Sequence, residues 1–180
     1  MIGRRGRAQY YTATTLDGFI ADQNHSLEWL FKRKQDREGP LNYDTFIAGV
    51  GALAMGSTTY EWILEHDQGR WPYELPSWVF THRDLQIAAD GIQLTSDDVA
   101  DVHGQMREAA GARNIWIVGG GDLAGQFAER GLLDEVIVYI APVTLGAGAP
   151  LLPRHVELRL EELAPNGDFA CARYAVVCDA

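Results

Sequence analysis

The sequence predicts one three-layer α/β domain, with a mostly parallel sheet and an antiparallel pair of strands at its C-terminal edge. Three observations predict it. Short apolar strand patterns alternate with helical ones through the middle of the chain, which is the signature of a sheet covered on both faces. Two further strand patterns follow one another near the C-terminus with no helix between them. Between these regions, residues 114–153 run an apolar strand straight into Gly119, Gly120 and Gly121 and then into a short amphipathic helix. Glycines at such a junction leave the helix's free N–H groups open to a bound anion.

Residues 9–16 (QYYTATTL) are rich in β-branched and aromatic side chains and predict the first strand. Asp17-Gly18 makes a turn, and Phe19 to Ala21 resumes extended structure. Residues 22–41 are polar apart from Leu27, Trp29, Leu30 and Phe31, so they read as a loop packed by its own apolar residues. Tyr43, Phe46, Ile47 and Val50 recur at helical spacing, with Asn42 as cap and Gly51 as stop. Residues 52–55 form a buried strand. After Gly56, Thr58 and Glu61 have capping-box spacing ahead of a helix whose inward face is Tyr60, Ile63 and Leu64. Strands follow at 78–80 and 92–94. Residues 95–98 then open a helix with Val99, Val102, Met106 and Ala109 on one face and Gly111 past its end. The glycine segment supplies a strand at 115–118, a helix with Leu123 and Phe127 inward, and a strand at 136–140. Residues 156–160 and 169–177 are the antiparallel pair. There is no internal repeat, linker or low-complexity segment, so residues 1–180 read as a single domain.

Composition limits the function. With 180 residues, 47% of them hydrophobic, the chain supports one well-buried core. A net charge of -10 opposes nucleic-acid binding, which needs a basic field. The basic cluster Arg4, Arg5 and Arg7 reads as a surface tail and not as a secretory signal. No apolar run approaches the roughly 20 residues of a membrane helix. Cys171 and Cys178 sit on one strand pattern, too far apart to pair, and a reduced cytoplasmic protein is expected. The five His are scattered without metal-ligand spacing, so no metal is expected.

In sheets of this kind ligands sit outside the carboxyl ends of the strands. Those ends carry Gly56-Ser57-Thr58-Thr59, Thr81-His82-Arg83, Thr95-Ser96 and Gly119-Gly120-Gly121. Each alone reads as a plain helix cap. Four small, hydroxylic or basic ends on one edge point to a phosphate-bearing ligand. The segment has neither the lysine of a P-loop nor Rossmann glycine spacing. Asp122 would oppose a bound pyrophosphate, and it reads as the N-cap of the following helix. Asp17 reads either as a carboxylate that orients substrate or relays a proton, or as a good turn residue before glycine. Trp29, Tyr43, Tyr60 and Trp62 form either an aromatic wall or ordinary core.

Four motifs, in order along nearly the whole chain, carry a family resemblance. They are Thr15-Leu16-Asp17-Gly18-Phe19-Ile20-Ala21, Ala54-Met55-Gly56-Ser57-Thr58-Thr59-Tyr60-Glu61, Ile117-Val118-Gly119-Gly120-Gly121, and Leu132-Leu133-Asp134-Glu135 through Ala141-Pro142-Val143-Thr144-Leu145-Gly146-Ala147-Gly148. The chain resembles the dihydrofolate reductase-like superfamily, specifically stand-alone relatives of the C-terminal reductase domain of the riboflavin-pathway bifunctional enzyme.

The resemblance implies a reductase that takes hydride from NADPH. Ala13 and Ile20 would flank the nicotinamide. Gly56, Ser57, Thr58 and Thr59, with Gly119, Gly120, Gly121, Asp122 and Leu123, would hold the pyrophosphate. Thr81, His82 and Arg83 would surround the ribose and its 2′-phosphate, with Thr95 and Ser96 near the adenine. Ser57 stands where the family often has Arg or Lys, and Val118 where the riboflavin-pathway domains place Glu.

The expected activity is hydride transfer to a small flat heterocycle, pterin-like or pyrimidine-like, related to 5-amino-6-(5-phosphoribosylamino)uracil reductase. Protonation would come from water, Asp17 or Tyr43. Asp44 lies about 100 degrees around the helix from Tyr43 and reads as a solvated carboxylate. The departures keep open two rivals: a non-catalytic NADPH-binding sensor or resistance protein on the same fold, and a structural homodimer subunit. A homodimer paired through strands near the C-terminus is expected in any case.

Overall fold

The computed structural model describes residues 5–177; Arg4 and Cys178 lie outside them. The described chain is ordered β1 (Ala8–Thr15), β2 (Phe19–Ala21), α1 (Glu28–Phe31), α2 (Tyr43–Ala48), β3 (Val50–Gly56), α3 (Ser57–His66), β4 (Ser77–Phe80), β5 (Ile92–Thr95), α4 (Val99–Ala110), β6 (Asn114–Gly119), α5 (Gly121–Glu129), β7 (Glu135–Ala141), β8 (Ala149–Pro150), β9 (Leu158–Asn166) and β10 (Phe169–Val176). Eight strands form one sheet in the order β5-β4-β3-β6-β1-β7-β10-β9. The first six are mutually parallel, and β10 and β9 close the edge antiparallel. The expected architecture is therefore the observed one.

Alternation along β3 sorts the layers. Ala52 and Ala54 face the cluster made by Val102 and Met106 of α4 and Phe127 of α5. Leu53 and Met55 face Tyr60 and Ile63 of α3, with Phe46 and Ile47 of α2. Both faces of the central strands are thus covered, which is why they read as unbroken apolar runs. Each fully buried side chain of this kind, such as Leu53, contributes about 1.5–3 kcal/mol relative to exposure.

Several local expectations are corrected. Gly49, not Gly51, ends α2, and Val50 and Gly51 already belong to β3. A Cβ on Gly51 would lie 2.7 Å from the Ala110 carbonyl, so this glycine serves the close approach of α4 to β3. Thr58 and Glu61 form no capping box: Gly56 caps α3 without any side-chain hydrogen bond. Ala109 is exposed and Ala110 faces the core of α4. Residues 28–31 form the short helix α1. β9 starts two residues later than expected and runs to Asn166.

The chain reverses direction across the sheet between β3 and β6. From β3 it moves outward through α3 to β4; from β6 it moves the other way, through α5 and past β1 to β7. The crevice at the carboxyl ends of such a strand pair is where ligands bind in open α/β sheets. Register brings the two helix starts together there, since Met55 lies opposite Gly119. Ala54 lies opposite Ile117, so Val118 is an extra residue bulged toward the crevice.

Candidate active site

A cavity of about 410 Å³ opens at this crevice. Two helix N-termini form one end of it. Gly56 caps α3 in an extended conformation and Gly120 caps α5 at φ -53° and ψ 156°, both without a side-chain cap. The first N–H groups of each helix are therefore free for a ligand, and both helix dipoles favour negative charge there. A Cβ on Gly56 or Gly120 would meet nothing within 4 Å, so both caps border open space. The flanking glycines do different work. A Cβ on Gly119 would lie 2.9 Å from Thr59 Oγ1, and one on Gly121 would lie 2.2 Å from the Pro150 carbonyl oxygen. Gly121 thus lets the 150–151 backbone pack directly onto α5.

That backbone belongs to a small flap. β8 pairs antiparallel with β2, and Ile20, Ala21, Ala149 and Pro150 line the cavity. Asp17 pins the flap. Its carboxylate accepts the Thr15 hydroxyl at 2.6 Å and the backbone N–H groups of Leu145 and Gly146 at 3.1 and 2.7 Å. These bonds, the Thr15 hydroxyl foremost, hold its carboxyl below the usual Asp range.

Asp122 is not the N-cap of α5; it lies in the first turn. Its carboxylate accepts from Gln126 at 2.8 Å and Arg154 at 2.7 Å, and Arg154 also reaches Glu129 at 2.8 Å. Gln126 and Arg154 hold the Asp122 carboxyl below its ordinary range. Arg154 offsets its charge, which weakens the objection to an anion nearby.

The rest of the cavity wall is apolar and aromatic, built from Leu27, Trp62, Ile63, Tyr73 and Val118. The match to the RibD C-terminal domain family model spans residues 9–164. The chain belongs to that family. YwjB of Bacillus subtilis strain 168, itself uncharacterized, is 30% identical over 168 residues, covering 91% of this chain and 94% of YwjB. The riboflavin biosynthesis protein RibD of Corynebacterium ammoniagenes is 29% identical over 162 residues; the match covers 83% of this chain but 47% of that protein. A candidate riboflavin biosynthesis protein from Shewanella sp. PV-4 has the same fold, with a TM-score of 0.78 at 24% identity over 96% of this chain and 99% of that one.

Within this RibD C-terminal domain, the cavity collects Ile20, Thr58, Thr59, Gly119, Gly120, Gly121 and Asp122 of the expected residues. Ser57 begins α3 beside them. The Leu123 side chain is in the core, so only its N–H can serve a ligand. Ala13 packs on the cluster of Tyr139, Phe169 and Cys171, while its neighbour Thr12 lines the cavity. Thr81, His82, Arg83, Thr95 and Ser96 lie farther along the same edge, where Thr81 N–H donates to the Thr95 carbonyl at 2.8 Å. Tyr43 lines a separate recess with Gln35, Arg37 and Asp44, and burial raises its hydroxyl pKa.

Sequence reasoning missed Thr12, His25, Leu27, Ile63 and Tyr73 as cavity residues, and the Ala149–Pro150 strand. The sequence signal for Ile63 was one of helical spacing, which is equally a core signal. Cys171 is buried beneath Tyr139, and burial pushes its thiol up to about 11. Among the described residues no group of three or more His, Cys, Asp or Glu forms a metal cluster, and no helix is long and apolar enough to cross a membrane.

Proposed function

We propose that this cavity binds NADPH and that the protein is a reductase acting on a small flat heterocycle. One observation carries the proposal: the first turns of two glycine-capped helices border the same cavity, α3 through Thr58 and Thr59 and α5 through Gly120 and Gly121, and its wall is partly aromatic. Free amides and open space at Gly56 and Gly120 fit a pyrophosphate. When bound, the cofactor supplies a hydride.

The chain's own residues do the rest. Amides at the starts of α3 and α5 hold the phosphates, and Ile20, with the Ala13 backbone, orients the nicotinamide. Thr81, His82 and Arg83 take the ribose side, Arg83 being the fork for a 2′-phosphate; Thr95 and Ser96 take the adenine. The β2–β8 flap and the aromatic wall exclude water and present the substrate ring to the nicotinamide. Asp17, ionised and bonded through both oxygens, keeps the flap in place, and Tyr43 lies in a separate recess, so the proton comes from water.

The reading draws support from family membership and from the resolved Thermotoga maritima deaminase/5-amino-6-(5-phosphoribosylamino)uracil reductase, which has a TM-score of 0.67 at 14% identity over 96% of this chain and 57% of that one. Titration of the tryptophan fluorescence with NADPH and NADH, followed by an NADPH-oxidation screen over pterins and pyrimidines, tests it. Saturable NADPH quenching with turnover of one ring class is expected; absence of any quenching sinks it. A second reading, a non-catalytic NADPH sensor, is favoured by the acid-base poverty of the lining. Its ionisable side chains are His25, Tyr73 and Asp122. Quenching without oxidation of any substrate would select it.

A further inference from the structure

The aromatic wall of the cavity continues outward. His25, Thr58 and Trp62 line both the cavity and an adjoining recess of about 500 Å³ formed with Asn24, Glu61, Glu65 and His66. The Trp62 indole is held in a near-parallel stack, 4.7 Å from the His66 ring and 6.1 Å from the Phe31 ring. A fixed indole is a ready surface for a flat ring. Glu61 and Glu65, four residues apart on α3, put two carboxylates on one helix face at the recess. Arg83 engages Glu61, and Glu65 is exposed. Among the described residues, those lining the cavity and the recess include no Lys or Arg.

We propose that the substrate is an unphosphorylated, neutral or cationic flat heterocycle, whose ring lies against Trp62 and whose substituent leaves through the acidic recess beside α3. This rests on reading the cavity as a reductase site, and it deepens that reading by excluding a substrate with an anionic tail. The recess begins at Thr58, beside the start of α3 where the cofactor phosphates are placed, and Glu65 lies about two helical turns farther along, where a substrate tail meets it. A phosphate or carboxylate on that tail would lose water and meet the like charge of Glu65, Glu61 being paired with Arg83.

The test uses the full chain saturated with NADPH and three probes sharing one ring: pterin, 6-carboxypterin and 6-aminomethylpterin, followed by their own fluorescence. Pterin and the aminomethyl compound bind about fivefold or more tighter than the carboxylate, the scale of exposed charge pairs. Glu65→Lys, a surface change that leaves folding intact, narrows or reverses that ratio. Trp62→Ala weakens all three by roughly tenfold and Trp62→Phe restores much of the loss. Equal or tighter binding of 6-carboxypterin, or a ratio unmoved by Glu65→Lys, overturns the inference. So does failure of all three probes on protein that binds NADPH, which leaves the reductase reading standing. Failure of NADPH itself to bind overturns the reductase reading instead, and the charge ratio is then read on the cofactor-free protein.

Discussion

Arg83 grips Glu61 through both nitrogens of its guanidinium fork, at 3.1 and 2.5 Å, so the cation proposed for the 2′-phosphate is already engaged by a carboxylate of α3. Both side chains are about half exposed. The pair is therefore worth about 1 kcal/mol or less and is easily exchanged. A 2′-phosphate must displace Glu61 to claim the fork, which lowers the advantage of NADPH over NADH. Glu61→Ala is expected to raise the NADPH/NADH affinity ratio a few-fold, and Arg83→Ala to lower it. Parallel fluorescence titrations with the two dinucleotides measure both ratios. An unchanged ratio in Arg83→Ala would remove Arg83 from the cofactor site.

Adjacent glycines give opposite predictions. Gly121→Ala drives a methyl group into the carbonyls of Pro150 and Leu151, at 2.2 and 2.4 Å, where backbone has to move. The expected cost is about 1–3 kcal/mol, seen as a lower Tm. Gly120→Ala meets nothing within 4 Å and leaves Tm nearly unchanged, but it puts the methyl where the phosphates approach. It is expected to weaken NADPH binding at least tenfold while the fold survives. Thermal melts and titrations of both variants separate the packing glycine from the binding glycine.

Asp17 makes acid stability a readout of the flap. Its folded-state pKa is depressed, the Thr15 hydroxyl being the largest cause, so its contribution is present above the ordinary Asp range near about 4 and is lost as pH falls through the folded value. Asp17→Asn removes that contribution. The Tm gap between wild type and variant is expected to be open at neutral pH and to close as the pH falls below about 4. Melts across that range check it, and a gap independent of pH would mean the carboxylate's charge is not what pins Leu145 and Gly146.

The layers were legible because both faces of β3 and β6 are buried, and continuous apolar runs broken by glycine have few other meanings. The N-termini of α3 and α5 were legible for the same reason, as glycine at a strand end. What escaped reading has a common cause. Ala149–Pro150 pairs with β2 across more than a hundred residues, and a two-residue strand has no periodicity to detect. Thr58 and Glu61 matched a capping box by spacing, yet the chain enters α3 directly from β3, where Gly56 already has the cap conformation, and Glu61 turns to Arg83 instead. Tyr73 lies in a loop with no pattern at all and reaches the cavity by folding back over α3 onto Tyr60 through Trp71. Asp122 looked like a cap because nothing in the sequence announced Arg154, thirty-two residues away.

The sheet's C-terminal edge makes the last prediction. β9 ends the strand order, pairs with β10 alone and is nine residues long, whereas the other edge strand, β5, has only four. A register shift at Arg173 and Tyr174 places Leu163 opposite Ala172, Leu160 opposite Tyr174 and Leu158 opposite Val176. Spaced three and two apart, the leucines nonetheless share one face, and they are 64%, 52% and 37% exposed. A long edge strand with an apolar face is a template for pairing that proteins normally cover. A second copy of the chain is proposed to cover it, since a two-fold pairing places the same leucines against themselves and buries both edges at once. Light scattering at micromolar concentration is expected to give twice the 19.9 kDa of one chain. Leu160→Lys with Leu163→Lys sets charges against charges across the two-fold axis and should release monomers with unchanged secondary structure. A wild-type monomer, or a dimer indifferent to both lysines, would refute the assignment.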